Sequence, residues 1–152
     1  MESQRRTDEE ELRRLLVETE LIESTLGTLR ARLELLNAGL TESRLAVQAL
    51  TAIKSEKKDV ETLVPIGAGS YIRARLDDVE KVVVGVGAEV SVEKTLDEAL
   101  ENLEQQVNQL EKSRAALEQQ WVQASAALEE DRRKIAEIAR RREEAKTPAR
   151  PA

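Results

Sequence analysis

The chain has 152 residues, of which 24 are Lys or Arg and 30 are Asp or Glu, and its formal net charge is −6. It has no Cys and no His, which excludes disulfides, Cys or His metal ligands, cysteine nucleophiles and imidazole bases. A single Trp, a single Tyr and no Phe leave little aromatic volume for a compact globular core. The intermixed charges disfavour a general nucleic-acid surface and are typical of coiled coils.

The N-terminal residues, MESQRRTDEEELRR, contain no apolar core of a secretory signal. No apolar run approaches the roughly 18 residues of a membrane span. We therefore expect a cytoplasmic protein that makes no membrane contact. Residues 1–7 are polar and predict a disordered N-terminus, and the sequence TDEE from Thr7 to Glu10 predicts a capping box at the start of a helix.

A heptad repeat predicts a coiled-coil helix over residues 8–59. Its apolar seam advances in alternating steps of three and four residues, and Thr19 and Ser43 are its two polar members. The seam comprises Leu12, Leu15, Thr19, Ile22, Leu26, Leu29, Leu33, Leu36, Leu40, Ser43, Val47 and Leu50. A helix of this length needs a second helix of matching length to cover its apolar face.

Residues 60–94 lose the helical repeat and alternate apolar with polar residues between turn sequences. This pattern predicts four short strands arranged as two β-hairpins. Because two isolated hairpins bury little surface and leave open edges, we expect them to pair with hairpins of other subunits. The residues expected in that oligomeric contact are Ile72, Ala74, Leu76, Val82, Val84, Val86, Val90 and Val92.

A second capping box, TLDE from Thr95 to Glu98, opens a second coiled-coil helix over residues 95–142. Arg114 and Asp131 are the charged members of its seam, and such residues can fix register at a cost in stability. Charged and proline-containing residues 143–152 predict a disordered tail after the basic run at residues 140–142. The complete seam is Leu96, Leu100, Leu103, Val107, Leu110, Arg114, Leu117, Trp121, Ala124, Leu128, Asp131, Ile135 and Ile138.

The predicted fold is therefore mainly α with a small β insert. Two helices of similar length, joined by two hairpins, fold back into a long antiparallel coiled coil. In the predicted register Leu50 meets Leu96, and Leu15 meets the region of Asp131 and Ile135. Trp121 then packs opposite the region that contains Leu26 and Leu29.

The sequence predicts no catalytic, cofactor or metal site, and we expect no enzymatic activity. The glycine-rich GAGS and GVGA segments lack the Lys-Ser/Thr that follows the last glycine of a phosphate loop, which favours turn glycines. Carboxylate pairs lie on helix faces that offer no pocket to perturb them. The basic clusters at residues 132–134 and 140–142 are interpreted as solvated helix ends, with an acidic partner as the alternative.

Apolar residues near the helix ends farthest from the insert are candidates for contact with other polypeptides. Two interpretations stay open: they complete the seam, or the seam splays and exposes them. Off-seam Leu21, Leu35 and Leu45 suggest a second apolar stripe, although single exposed leucines are common. The candidate client-binding residues at the tips are Leu12, Leu15, Leu16, Val17, Ile135 and Ile138.

The segment LVPIGAGSYIRARLDDVEKVVVGVGAEVSVEKT, from Leu63 to Thr95, resembles the signature of the α subunit of prefoldin, also called GimC. Its two glycine-rich motifs are most similar to archaeal α subunits, and the resemblance extends over roughly residues 8–140. It implies a hexamer of two α and four β subunits whose hairpins form a β-barrel platform. It further implies that the coiled-coil tips hold unfolded proteins without ATP and deliver them to a group II chaperonin.

The resemblance therefore predicts an ATP-independent chaperone subunit without a cofactor. Weak contacts at several tethered tips would bind a client through avidity. The alternative is a structural coiled-coil spacer that uses the hairpins only to oligomerise and binds no client.

Overall fold

The computed structural model describes residues 2–56 and 59–147. Helix α1 spans Glu2–Ser55 and helix α2 spans Leu96–Glu144. Between them lie the strands β1 (Val60–Gly67), β2 (Ser70–Leu76), β3 (Lys81–Gly87) and β4 (Val90–Thr95). This order of elements confirms the predicted mainly α fold with two small hairpins.

The chain forms two compact units, and each long helix contributes to both. Residues 2–35 and 114–147 are called the terminal unit, because they contain the described chain ends. Residues 36–56 and 59–113 are called the hairpin unit, because they contain all four strands.

Helix α1 begins at Glu2, whereas the sequence predicted a disordered segment over residues 1–7. The predicted capping box at Thr7 is wrong, because the Thr7 hydroxyl donates to the carbonyl oxygen of Ser3, 3.0 Å away, inside the helix. Residues 2–6 include Glu, Gln and Arg, which are good helix formers. With no strand or proline before Thr7, nothing local stops the helix from extending to Glu2.

Helix α2 begins with the predicted capping box. The amide of Glu98 donates to the Thr95 hydroxyl, and the amide of Thr95 donates to a carboxylate oxygen of Glu98, both at 3.2 Å. These bonds satisfy two amides that have no partner within the helix. The helix continues to Glu144, two residues into the predicted tail, and the last five residues of that tail lie outside the described ones.

In the terminal unit the two helices run antiparallel, since Glu23 pairs with Arg132 at 2.8 Å and Asp8 pairs with Arg141 at 3.7 Å. Seam side chains from both helices are buried there: Leu15, Leu29, Leu128 and Ile138. Trp121 shares an opening with Arg30 and Leu33 of α1, and Arg30 directly follows the predicted neighbour Leu29. The antiparallel pairing is therefore as predicted.

In the hairpin unit the helices are again antiparallel, with ion pairs between Arg44 and Glu111 and between Lys54 and Asp97. Leu40, Leu96 and Ala99 are buried with the predicted polar seam residue Ser43. Leu50 and Leu96 line the same opening, in agreement with the predicted register at this end of the helices.

The four strands form two separate antiparallel hairpins, β1 with β2 and β3 with β4. Each turn has a register shift just before it, between Pro65 and Gly67 and between Gly85 and Gly87. Among the described strands neither hairpin pairs with the other, so each has two outer edges without a β-partner. The amide of Leu96 donates to the carbonyl oxygen of Glu80 at 2.9 Å and ties the start of α2 to the loop before β3.

Candidate functional site

The first hairpin carries one apolar face assembled from both strands. Thr62 pairs with Ala74 and Val64 pairs with Ile72 across the ladder. Because cross-strand partners share a face and alternate residues repeat it, β1 supplies half of this surface. The predicted set contained only the β2 members; the β1 members that it missed are Val60, Thr62 and Val64, whose alternation is visible in the sequence up to Pro65.

The second hairpin carries a valine face. Val84 pairs with Val92, and alternation places Val82 on the same face of β3 and Val90 on the same face of β4. Val86, Val90 and Val92 are exposed, and Val82 and Val84 are half-buried. We call Val82, Val84, Val90 and Val92 the valine face; Val86 lies at the register shift between Gly85 and Gly87. This hairpin therefore exposes apolar side chains that a single two-stranded sheet does not cover.

Six of the eight predicted oligomerisation residues divide into two groups, and the other two, Ala74 and Val84, are half-buried. Leu76 and Val82 line an opening of about 250 Å³ together with Leu50, Ile53 and Leu96 of the same unit. Ile72, Val86, Val90 and Val92 are exposed to solvent. The first group supports the base of the hairpins, and the second group is available to a partner.

The glycine-rich motifs form the hairpin turns. Ala68 and Gly69 have φ angles of 49° and 73°, and Ala88 and Glu89 have φ angles of 48° and 60°. Two consecutive residues with positive φ match a type I′ turn, whose twist suits a tight hairpin. This geometry explains both glycine-rich motifs as hairpin turns.

The terminal unit places the six candidate client-binding residues in two environments. Leu15 and Ile138 are each only 1% exposed, and Leu12 and Ile135 are half-buried. These four are seam residues. Leu16 and Val17 lie off the seam and are 51% and 67% exposed. The structure thus brings four candidates into the helix–helix contact and leaves two facing solvent.

Leu21 extends this exposed apolar surface of α1, because it is four residues from Val17 and is also exposed. Leu16, Val17 and Leu21 are called the α1 apolar patch. Their positions outside the heptad seam are the sequence signal for their exposure.

Charged residues surround the same end of the terminal unit. An opening of about 560 Å³ is lined by Gln4, Arg5, Asp8, Glu9, Arg141, Arg142, Ala145 and Lys146. Within the described ranges 2–56 and 59–147, no group of three or more acidic residues is placed to hold a metal ion. None of the helices in these ranges is long and apolar enough to cross a membrane.

Comparison with known sequences assigns the chain to one family. The family model described as prefoldin subunit matches residues 22–141. The prefoldin subunit alpha of Methanopyrus kandleri is 38% identical over 111 residues, which are 73% of this chain and 71% of the relative. The prefoldin subunit alpha of Pyrococcus horikoshii is 31% identical over 135 residues, which are 88% of this chain and 86% of the relative.

Solved structures are similar over most of the chain. A cryo-EM structure of filamentous PFD from Methanocaldococcus jannaschii has a TM-score of 0.61 and 28% identity, over 73% of this chain and 92% of the other. The prefoldin beta subunit from Thermococcus strain KS-1 has a TM-score of 0.53 and 21% identity, over 82% of this chain and 88% of the other, and shows the shared fold.

Two long helices, two hairpins with apolar faces and these relatives define a chaperone-type coiled-coil subunit. The chain belongs to the prefoldin family. Within this family it is similar to archaeal α subunits, which confirms the resemblance carried by residues 63–95.

Proposed function

We propose that this chain is the α subunit of a cytoplasmic hexameric prefoldin that captures non-native proteins without ATP and transfers them to a group II chaperonin. The α1 apolar patch is the observation that supports client binding most directly. It presents three large apolar side chains to solvent between residues 16 and 21 of α1, outside the seam positions. Such a patch binds apolar segments without requiring a shaped pocket.

The hairpins support the proposed assembly of two α and four β subunits. The valine face and the apolar face of the first hairpin both include exposed apolar side chains, and the outer strand edges of both described hairpins have no β-partner. Hairpins of partner subunits would cover both features and form a β-barrel platform. Several subunits held on one platform would then bind one client through avidity.

Truncation tests where clients bind. We expect deletion of residues 1–17 and 131–152 to abolish suppression of client aggregation, because it removes Leu16, Val17 and the seam residues Leu15, Ile135 and Ile138. The hairpin unit is untouched, so the assembled mass in sedimentation should fall only by the deleted residues. Aggregation of reduced lysozyme, followed by light scattering, measures the activity.

A point-variant pair gives the matched control. Leu16→Gln with Val17→Gln removes most of the α1 apolar patch and should weaken suppression. Leu45→Gln changes an equally exposed leucine in the hairpin unit and should leave it unchanged. Full activity of the truncated chain would contradict client binding at this end, and equal effects of the two point variants would contradict the patch.

A further inference from the structure

Asp131 is a buried acidic residue in the seam of the terminal unit. Asp131 is only 6% exposed; of its neighbours along the seam, Leu128 is buried and Ile135 is half-buried. Its Oδ2 atom has no hydrogen-bond partner among the described residues and no contact with solvent. One oxygen of this carboxylate has therefore lost water without gaining a hydrogen-bond donor in exchange.

The basic side chains next to Asp131 in the sequence are engaged elsewhere. Arg132 pairs with Glu23 at 2.8 Å. Arg133 and Lys134 both pair with Glu130, the latter at 3.7 Å. Within the described part of the chain, Asp131 therefore has no ion-pair partner.

Asp8, the other buried acidic residue of this unit, differs from Asp131 because its carboxylate has polar partners. It lies 3.7 Å from Arg141 and accepts a hydrogen bond from Gln4 at 3.3 Å. Between the two interhelical ion pairs, the seam hydroxyl of Thr19 donates to the carbonyl oxygen of Leu15 at 2.6 Å. That hydroxyl has only one proton, so it is not available as a donor to Asp131.

The missing partner destabilises the closed seam relative to an open one. When the helices separate, the carboxylate regains water and its desolvation cost disappears. A buried polar group without a partner shifts such an equilibrium roughly five- to 150-fold toward the exposed state. Apart from Thr19, whose hydroxyl is bonded within its own helix, the seam near Asp131 is apolar, so opening is favoured at this point of the terminal unit.

We propose that Asp131 controls access of clients to the buried seam. By lowering the stability of the closed helix pair it lets the segment from Asp131 onward, and the facing part of α1, open locally. Opening adds Leu15 and Ile138, buried in the closed state, to the exposed α1 apolar patch. This inference rests on the proposed client-binding function.

Hydrogen exchange and client binding of the full-length protein, in its native assembly, test the proposal together. Asp131→Leu restores an apolar seam and should slow amide exchange in residues 8–22 and 131–142 by roughly five- to 150-fold. Asp131→Asn keeps the shape and removes the charge, and should give a smaller change in the same direction. Glu137→Leu removes an exposed charge from the same segment and should change neither measurement.

Binding of reduced lysozyme should change with the same factor. If clients bind the open state, the apparent Kd rises as the open fraction falls. Asp131→Leu should therefore raise the apparent Kd by the factor by which it slows amide exchange. The rise is limited by the affinity that the closed state retains through the α1 apolar patch.

Each of the other outcomes would contradict a specific part of the proposal. Unchanged exchange in both Asp131 variants would overturn the destabilising role of the carboxylate. Slower exchange with unchanged client affinity would overturn the control of access. If the native protein bound no client at all, the proposed function and the control of access would both fail, and exchange would still decide whether Asp131 weakens the seam.

Discussion

Val84→Asp is the sharpest test of the proposed assembly. Val84 lies at the centre of the valine face, paired with Val92, and it is half-buried in the single chain. In an assembled platform a partner hairpin would bury the rest of this side chain. Aspartate at this position would place a carboxylate in that contact without a charged partner.

The expected loss combines two effects. Covering the remaining half of a valine is worth about 1 kcal/mol, since full burial of this side chain contributes about 1.5–3 kcal/mol. A buried charge without a partner costs a further 3 kcal/mol or so. A total of about 4 kcal/mol weakens association roughly a thousandfold, because each 1.4 kcal/mol is a factor of ten in Kd.

Sedimentation velocity of the protein co-expressed with a β-type subunit measures the effect, and Val83→Asp is its control. Val83 is one residue away in the same strand, on the opposite face, and is 72% exposed. The two variants share the change in charge and in strand propensity and differ in the face affected. Val83→Asp should therefore stay assembled, while Val84→Asp should sediment as smaller species.

Far-UV circular dichroism separates loss of assembly from loss of folding. Both variants should keep the helical signal of α1 and α2, because neither residue lies in a helix. An intact oligomer of Val84→Asp at micromolar concentration would refute the burial of the valine face. Dissociation of both variants to the same extent would refute the assignment of one face to the partner.

Two local predictions follow from the capping box and the second turn. Thr95→Ala removes the capping hydroxyl of α2 and should lower the free energy of unfolding by about 1 kcal/mol, measured by urea denaturation. Glu89→Gly replaces a residue held at a φ of 60°, which costs about 1–2 kcal/mol for an L-residue, and should slow amide exchange in β3 and β4.

Each of these substitutions has a control substitution that should not change the measured quantity. Thr7→Ala removes a hydroxyl bonded inside α1 and should alter stability by no more than about 0.5 kcal/mol. Equal losses for the Thr95 and Thr7 variants would contradict a specific cap at Thr95. Glu89→Ala leaves an L-residue at the positive φ and should not slow amide exchange in β3 and β4. If it slowed exchange as much as Glu89→Gly, the inferred backbone strain at residue 89 would be contradicted.

The two predicted capping boxes show the limit of what a local sequence pattern predicts. Both follow the pattern T-x-x-E, yet only Thr95 caps a helix. The residue before it, Lys94, is held in the β ladder opposite Val82, so its backbone cannot join the helix. Residues 2–6 carry no such constraint, and α1 continues through Thr7.

The sequence by itself determined the elements, because each has a local cause. Heptad spacing produces two long amphipathic helices, and alternation between turn sequences produces two hairpins of the predicted pairing. The family resemblance carried by residues 63–95 comes from the same strand and turn sequences. The sequence was less informative about which strand residues share an apolar face. The prediction omitted the β1 members of the first hairpin's apolar face, which precede Pro65.

Only the tertiary structure decided how the two seams meet. Leucine occurs along most of α1, so neighbouring registers are nearly equivalent in sequence. The same pairing buries Leu15 and leaves Leu16 exposed. It also leaves Asp131 without a partner. Whether a buried carboxylate is satisfied depends on groups that are distant in the chain and near in space, and the heptad pattern contains no information about them.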